Sequence, residues 1–323
     1  MARCGTDLQT AVDLLQAGHP VGLPTETVYG LAARADMPDA VADIYRLKGR
    51  PAHNPLILHF SSVTDMRGWV ARMPEEAERL FARFSPGPLT LLLPKGPRVG
   101  DHISASLPRV GVRIPAHPLF RKAIQRTRCP FAAPSANRSG YVSPTQAEHV
   151  AGVYGGELAY VLDGGPCEVG VESTIVGLEP NGSWTLYRPG AIAATDIECA
   201  LDAPLRLPSD HTQVVAPGMD AHHYSPHTPV FIGLEEIPVV HGKEGWITWR
   251  GLTYPIPPGV VHQPISNRSD LNDAARELYA AMIWLDGLGL DRIRIQPFPH
   301  RGIGIALNER IHRASLRTHI PEA

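Results

Sequence analysis
Short apolar runs alternate with amphipathic stretches along the first two hundred residues. Runs at 21–23, 56–60, 89–93, 110–114, 160–162, 174–178 and 185–187 have the length and composition of strands. Between several of them the apolar spacing lengthens to that of a helix. Leu8, Val12 and Leu15 share one face of a stretch that Thr6 could cap and Gly18 stop. A second helix is predicted from near Pro38, with Val41, Ile44 and Tyr45 on one face. A third starts with Pro74 as its first residue, followed by Ala77, Leu80, Phe81 and Phe84. Strands mixed with helices in this way predict an α/β fold with a mixed sheet.

The pattern breaks over 204–229. This stretch has no sustained period and is rich in Pro, His and Asp, so it reads as a linker or ordered loop; loops of this length are usually functional or disordered. A smaller α/β pattern follows. Strands are expected at 230–233, 245–249 and 292–295. Ser269 or Asp270 can cap a helix with Leu271, Ala275, Leu278, Met282 and Leu285 on one face, ended by Gly287 and Gly289, and a last helix covers 303–313. This alternation suggests a small parallel sheet. The expected organisation is a domain over 1–203, a linker over 204–229 and a small domain over 230–323.

Composition changes the picture little. The 323 residues suffice for two cores, and 43% hydrophobic with 19% charged residues is an ordinary globular balance. A formal charge of −2 supplies no global positive field for nucleic acid or anionic membrane, though a local basic patch stays open. Cys4, Cys129, Cys167 and Cys199 are far apart with no C-x-x-C pair, which argues against a disulfide framework or a cysteine-built zinc site and fits a reducing cytosol. No apolar run approaches the roughly 18 residues of a membrane span, so a cytoplasmic protein is expected.

Five clusters could carry chemistry. The first, 23–30, sets Thr25, Glu26 and Thr27 directly after a strand, where α/β domains bind ligands; a plain turn would look the same. In the second, 48–59, Lys48 and Arg50 flank a glycine at a helix end, with Asn54 and His59 bracketing the next strand. The cations suit phosphate, or merely offset the helix dipole. In the third, Arg113 lies in an apolar strand and needs a buried anion, either a bound carboxylate or a structural Glu or Asp. The fourth, 132–146, carries small residues around Ser135 and Asn137, and then Ser143 with Gln146, which fit a capping box with Pro144 at N1. The fifth joins Asp163-Gly164-Gly165, Glu172-Ser173 and Arg188 at strand ends. There is no Walker motif and no G-x-G-x-x-G after a strand. His222, His223 and His227, near Asp220, have a ligand-like spacing only on a helix, which Pro226 and Pro229 disfavour, so no metal site is expected.

In order along the chain, PTETVYGL, KGRPAHNPLILH, SPGPLTLLL, VGVRIP, APSANRSG, DGG, ESTIV and LYRPG resemble the YrdC-type threonylcarbamoyl-AMP synthases over most of residues 8–200. APGMDAHHYSPHTP and the C-terminal segment resemble the long, two-domain form. The resemblance implies a YrdC-like domain with a twisted mixed sheet plus a small Rossmann-like α/β domain. It implies synthesis of L-threonylcarbamoyladenylate from L-threonine, bicarbonate and ATP, with Mg²⁺ carried on the nucleotide and pyrophosphate released. The product would serve tRNA threonylcarbamoyladenosine modification through a separate transferase complex, with weak or indirect tRNA contact. Thr27, His59, Arg113, Ala133 and Ser173 match positions that hold L-threonine. Arg50, Asn54, Arg109, Ser135, Asn137, Ser143, Arg188 and Tyr224 match positions around ATP, Tyr224 folding back from the linker as part of a lid. Lys48 and Arg50 are the expected catalytic cations. Arg109 departs from the family, which more often has a small hydroxyl residue there. A carbamoyl-adenylate-forming enzyme and a double-stranded RNA-binding module are the alternatives to this reading.

Overall fold
The computed structural model describes residues 2–208, 216, 224–234, 236 and 238–316. Asp220, His222 and His223 lie outside them. Ten strands form one mixed sheet, in the order β1-β8-β2-β3-β7-β4-β6-β5-β9-β10. In chain order these are β1 (Arg3–Gly5), β2 (Val21–Leu23), β3 (Gly30–Arg34), β4 (Ile57–His59), β5 (Leu89–Pro94), β6 (Arg109–Arg113), β7 (Phe131–Ala132), β8 (Tyr160–Leu162), β9 (Thr174–Leu178) and β10 (Trp184–Arg188). The helices with them are α1 (Leu8–Gln16), α2 (Pro38–Lys48), α3 (Glu75–Phe84), α4 (Asp101–Ser104), α5 (Pro118–Thr127), α6 (Ala147–Tyr154) and α7 (Ala194–Leu201).

Strand β6 shows how the sheet divides. Val110 and Val112 join the main core with Leu58, Leu89, Leu91, Leu93, Val41, Ile44, Leu80 and Phe81. With a side-chain period of two, Arg109, Gly111 and Arg113 face the other way. On that second face Ile57, Leu92 and Ile175 bury Ala216 of the linker. So one side of the sheet is dry core; the other is apolar where α1 and α5 pack, with Val12, Leu15, Phe120 and Phe131, and carries polar side chains near the ends of β4, β6 and β10.

The smaller sheet is parallel, in the order β11-β14-β12-β13, from β11 (Val230–Ile232), β12 (Glu244–Thr248), β13 (Val261–Pro264) and β14 (Arg292–Ile295). Helices α8 (Leu271–Asp286) and α9 (Gly304–Ser315) complete its core with Leu278, Met282, Leu285, Leu307 and Ile311. The two folds meet backbone to backbone. Gly170 has φ +80°, and a Cβ there would lie 2.3 Å from the Ala275 carbonyl oxygen and 2.4 Å from the Arg276 Cα on α8, so only glycine fits. No helix among the described residues is long and apolar enough to cross a membrane.

Several local expectations are corrected. Asp7, not Thr6, caps α1, because its carboxylate accepts from both the Gln9 and Thr10 amides. Pro74 sits at the N-cap of α3 rather than inside it. Ser143 caps nothing: α6 starts at Ala147 behind Gln146, and the Ser143 hydroxyl goes to a buried carboxylate instead. Arg3–Gly5, before α1, is an edge strand paired with β8 that the apolar pattern did not indicate.

Candidate active site
The polar part of that second face supports a cavity at the junction of β4, β6, β7, β9 and β10. On one side, Arg113 at the end of β6 pairs in register with His59 at the end of β4. The Arg113 Nη2 donates to Glu26 Oε1 at 2.6 Å and to Thr27 Oγ1 at 2.9 Å, and its Nε donates to the Gly87 carbonyl at 3.3 Å. The second Glu26 oxygen accepts from the Ala116 amide at 2.9 Å. Thus the buried cation has a structural carboxylate, and Nη1 is the arm with no hydrogen bond to the described residues.

The hydroxyls beside it have a fixed sense. Thr25 donates to the Val28 carbonyl at 2.6 Å, a group that can only accept. The 2.9 Å bond between the Thr25 and Thr27 hydroxyls therefore takes its proton from Thr27. Thr27 Oγ1, with its proton committed, can only accept from a ligand. His59 behaves alike. Its Nδ1 lies 3.2 Å from the Ile57 carbonyl and must carry the proton there, leaving Nε2 as a lone pair. Burial, helped by the charge of Arg113, pushes the imidazole down to about 3, so it is neutral.

The opposite side begins at the end of α2. Gly49 is left-handed, with φ 60°, and its amide and that of Arg50 close on the Arg46 and Tyr45 carbonyls. This cap stops the helix at Lys48 and turns Arg50 toward the cavity. Arg50 donates to the Asn54 carbonyl (3.1 Å), the Asn54 side-chain oxygen and the Pro55 carbonyl (2.7 Å). Lys48 is buried and donates to the Ser135 and Asn137 carbonyls at 2.6 and 2.5 Å. Burial, and after it Arg50 and Arg138, push its amine well below the usual lysine value. Ser135 donates to the Asn137 side chain at 2.5 Å, and the Asn137 amide closes on the Arg138 and Tyr141 carbonyls. Lys48 and Asn137 thus pin the loop that presents Ser135.

The third wall joins the two domains. The register of β10 on β9 shifts between Leu186 and Arg188, and such a bulge re-aims the side chain that follows it. Arg188 then donates to the Ser173 carbonyl at 3.0 Å and to its hydroxyl at 3.1 Å; that hydroxyl also lies 2.8 Å from Thr90 Oγ1. Next to Ser173, the buried Glu172 carboxylate accepts from Ser143 (2.6 Å), Tyr279 of α8 (3.0 Å) and Arg310 of α9 (2.8 Å). Burial would raise its pKa, but Arg310 and then Arg188 outweigh that and hold the carboxyl at about 2. Tyr224 lies buried against this group, its ring stacked 5.9 Å from that of Tyr279.

Thr27, Arg50, His59, Ala133, Arg113, Ser135, Ser173, Arg188 and Tyr224 line one cavity together with Thr25, Glu172 and apolar residues. Lys48, Asn54, Asn137 and Ser143 stand behind its walls, bonded to residues that line it. Arg109 stands apart. It faces the same side of β6 as Arg113 but four residues away, about 13 Å along the strand, and donates to Glu179 (2.9 Å) and Tyr187 (2.8 Å). Glu26 and Glu172 fell inside the first and fifth clusters read from the sequence but were given no role, and Tyr279 and Arg310 were not among the candidates. Arg310 did carry a signal: it shares the apolar stripe of α9 with Leu307, Ile311 and Ala314, where a charge requires a buried anion.

Comparison with known proteins agrees with this architecture. A family model of the Sua5, YciO and YrdC proteins, described as "Telomere recombination", matches residues 13–190, and one described as "Threonylcarbamoyl-AMP synthase, C-terminal domain" matches 192–315. The threonylcarbamoyl-AMP synthase of Bacillus subtilis is 37% identical over 94% of this chain and 92% of its own length. That of Pyrococcus abyssi is 36% identical over 95% and 94%. The crystal structure of P. abyssi Sua5 complexed with L-threonine superposes with a TM-score of 0.87 at 36% identity, covering 95% of this chain and 94% of that one. With both family models matched in order and these relatives aligned nearly end to end, the chain belongs to the threonylcarbamoyl-AMP synthases, in the form with the additional C-terminal domain.

Proposed function
We propose that this cavity is where L-threonine, bicarbonate and ATP are converted to L-threonylcarbamoyladenylate and pyrophosphate, with the substrates on opposite sides. The observation that carries the assignment is the donor and acceptor pattern of the Arg113 wall. It offers one guanidinium arm with no hydrogen bond to the described residues and two groups, Thr27 Oγ1 and His59 Nε2, that can only accept. L-Threonine presents the complement: a carboxylate for Arg113, and an amine and a hydroxyl to donate. Ala133 and Ser173 border the same space.

Arg50, Ser135 and Arg188 then face the nucleotide, with Tyr224 over it and Asn54, Asn137 and Ser143 holding them from behind. The neutral threonine amine attacks bicarbonate to form an N-carboxylate with loss of water. That carboxylate attacks the α-phosphorus in line with departing pyrophosphate. Positioning and charge stabilisation carry such a step. Arg50 and Arg188 offset the developing charge, while Lys48 acts from beneath by fixing the Ser135 loop. Both pocket carboxylates already accept from an arginine and a second donor. Neither carboxylate is left to hold a metal, so Mg²⁺ would come with the nucleotide and would offset the negative charge of its phosphates. Tyr224, buried at this wall, helps keep water from the labile mixed anhydride before it passes to a tRNA-modifying transferase; the rest of the expected lid lies largely outside the described residues. We place the enzyme in the cytosol, in keeping with its four free cysteines.

The test is pyrophosphate release from ATP and bicarbonate, with and without L-threonine. Threonine-dependent release is expected. Release that ignores threonine, or no release, defeats the reading.

A further inference from the structure
Arg310 belongs to the C-terminal domain, yet it touches three separate segments around the pocket. Its side chain is fully buried. Nε donates to Glu172 at 2.8 Å, Nη2 donates to the carbonyl of Pro189, the neighbour of Arg188, at 3.0 Å, and Nη1 goes to Glu309. The guanidinium carbon also lies 4.8 Å from the centre of the Tyr224 ring. Glu172 and Tyr224 both line the cavity. A buried ion pair is a poor device for joining two domains, since apolar residues of the same volume are commonly as stabilising or more so. What a planar fork with fixed donors does supply is geometry.

We propose that Arg310 is a positioning residue for the nucleotide side of the pocket, holding the Glu172 carboxylate, the Pro189 backbone and the Tyr224 ring in register, so that this wall is complete only with the C-terminal domain docked. The proposal rests on the assignment of that side to ATP. Glu172 is faced by Arg310 and Tyr279 from the C-terminal domain, by Ser143 and Arg188 from its own and by Tyr224 from the linker, with Glu309 behind Arg310. Arg310 leads the opposition to burial at Glu172. Without it the carboxyl takes up a proton at higher pH.

The experiment compares full-length wild type, Arg310→Met and Arg310→Lys for threonine-dependent pyrophosphate release, across ATP and threonine concentration. Arg310→Met is expected to raise the ATP KM about ten-fold or more and leave the threonine KM within about three-fold. Arg310→Lys keeps the charge without the fork, and its ATP KM should rise about three-fold or more. In a Glu172→Gln background, Arg310→Met should add little. A lowered melting temperature with an unchanged ATP KM would make Arg310 an interface strut only and overturn the proposal. If Arg310→Met does not fold, Arg310→Lys decides, an unchanged ATP KM counting against. Wild type run alongside separates the two ideas: absent or threonine-independent release there defeats the assigned reaction, whereas wild-type-like variants beside an active wild type defeat only the positioning role.

Discussion
Each side of the pocket is organised by a buried arginine–glutamate pair, and the two pairs are built differently. Arg113 and Glu26 belong to one domain, with side chains 6% and 5% exposed, and the guanidinium keeps one arm without a hydrogen bond to the described residues. Arg310 and Glu172 come from different domains, and all three nitrogens of Arg310 donate to protein. Removing one partner of such a pair is strongly destabilising, while the intact pair need not add net stability. The difference therefore concerns geometry. The first pair leaves a donor for a substrate to meet. The second leaves none and fixes parts of the protein against one another.

The largest expected effect comes from emptying the first pair. Arg113→Met should lower kcat/KM for threonine about a thousand-fold, ~4 kcal/mol, since it removes the carboxylate's partner and strands Glu26. The ATP KM should stay within about three-fold. Equal losses for both substrates would break the division of the pocket into two sides.

A second expectation separates the walls by acid titration. His59 has an ordinary value of 6.5 and is held near 3 in the fold, so the unfolded chain takes up the proton first and stability falls as pH drops from 6.5 toward 3. Glu172, ordinarily 4.5 and held near 2, contributes stability that is present above 4.5 and lost as pH falls toward 2. Both act in the same direction, at about 1.4 kcal/mol per pH unit of separation. Melting temperature should thus decline in two stages. His117, His149 and His262 are also depressed by burial, so His59→Asn should shrink the stage that begins near 6.5 and spare the one below 4.5; an unaltered first stage would acquit His59.

The smallest effect should be at Arg109, the control for Arg113 on the same face of β6. Arg109→Ala removes the bonds to Glu179 and Tyr187 and should cost ~1 kcal/mol of unfolding free energy. Both substrate KM values should stay within about three-fold. A ten-fold rise for ATP would bring this position into the nucleotide wall.

Much of this was legible in the sequence, for physical reasons. An arginine inside a β period needs a buried anion, and Arg113 has one. The anion's identity was not legible, because Glu26 lies in a loop, where a carboxylate reads as solvated. Partners of Arg310 were further out of reach, with Glu172 138 residues away in the chain. Strand β3 escaped because its residues are buried almost throughout, which erases alternation, and Gly-Leu-Ala-Ala carries no β-branched side chain. At Ser143 local chemistry pointed to a helix cap, and a tertiary carboxylate won the hydroxyl.

Gly170 ties these observations together in another way. Its amide donates to the Thr27 carbonyl at 3.1 Å, while its α-carbon is pressed on the backbone of α8, one turn from Tyr279. Between the Thr27 loop and the helix that braces Glu172 there is no room for a methyl group. Where two domains touch through bare backbone, no side chain is there to trim or lengthen when one surface drifts. A shift of α8 at this point presses directly on the Thr27 loop, so the two segments are best inherited, grafted or redesigned as one piece.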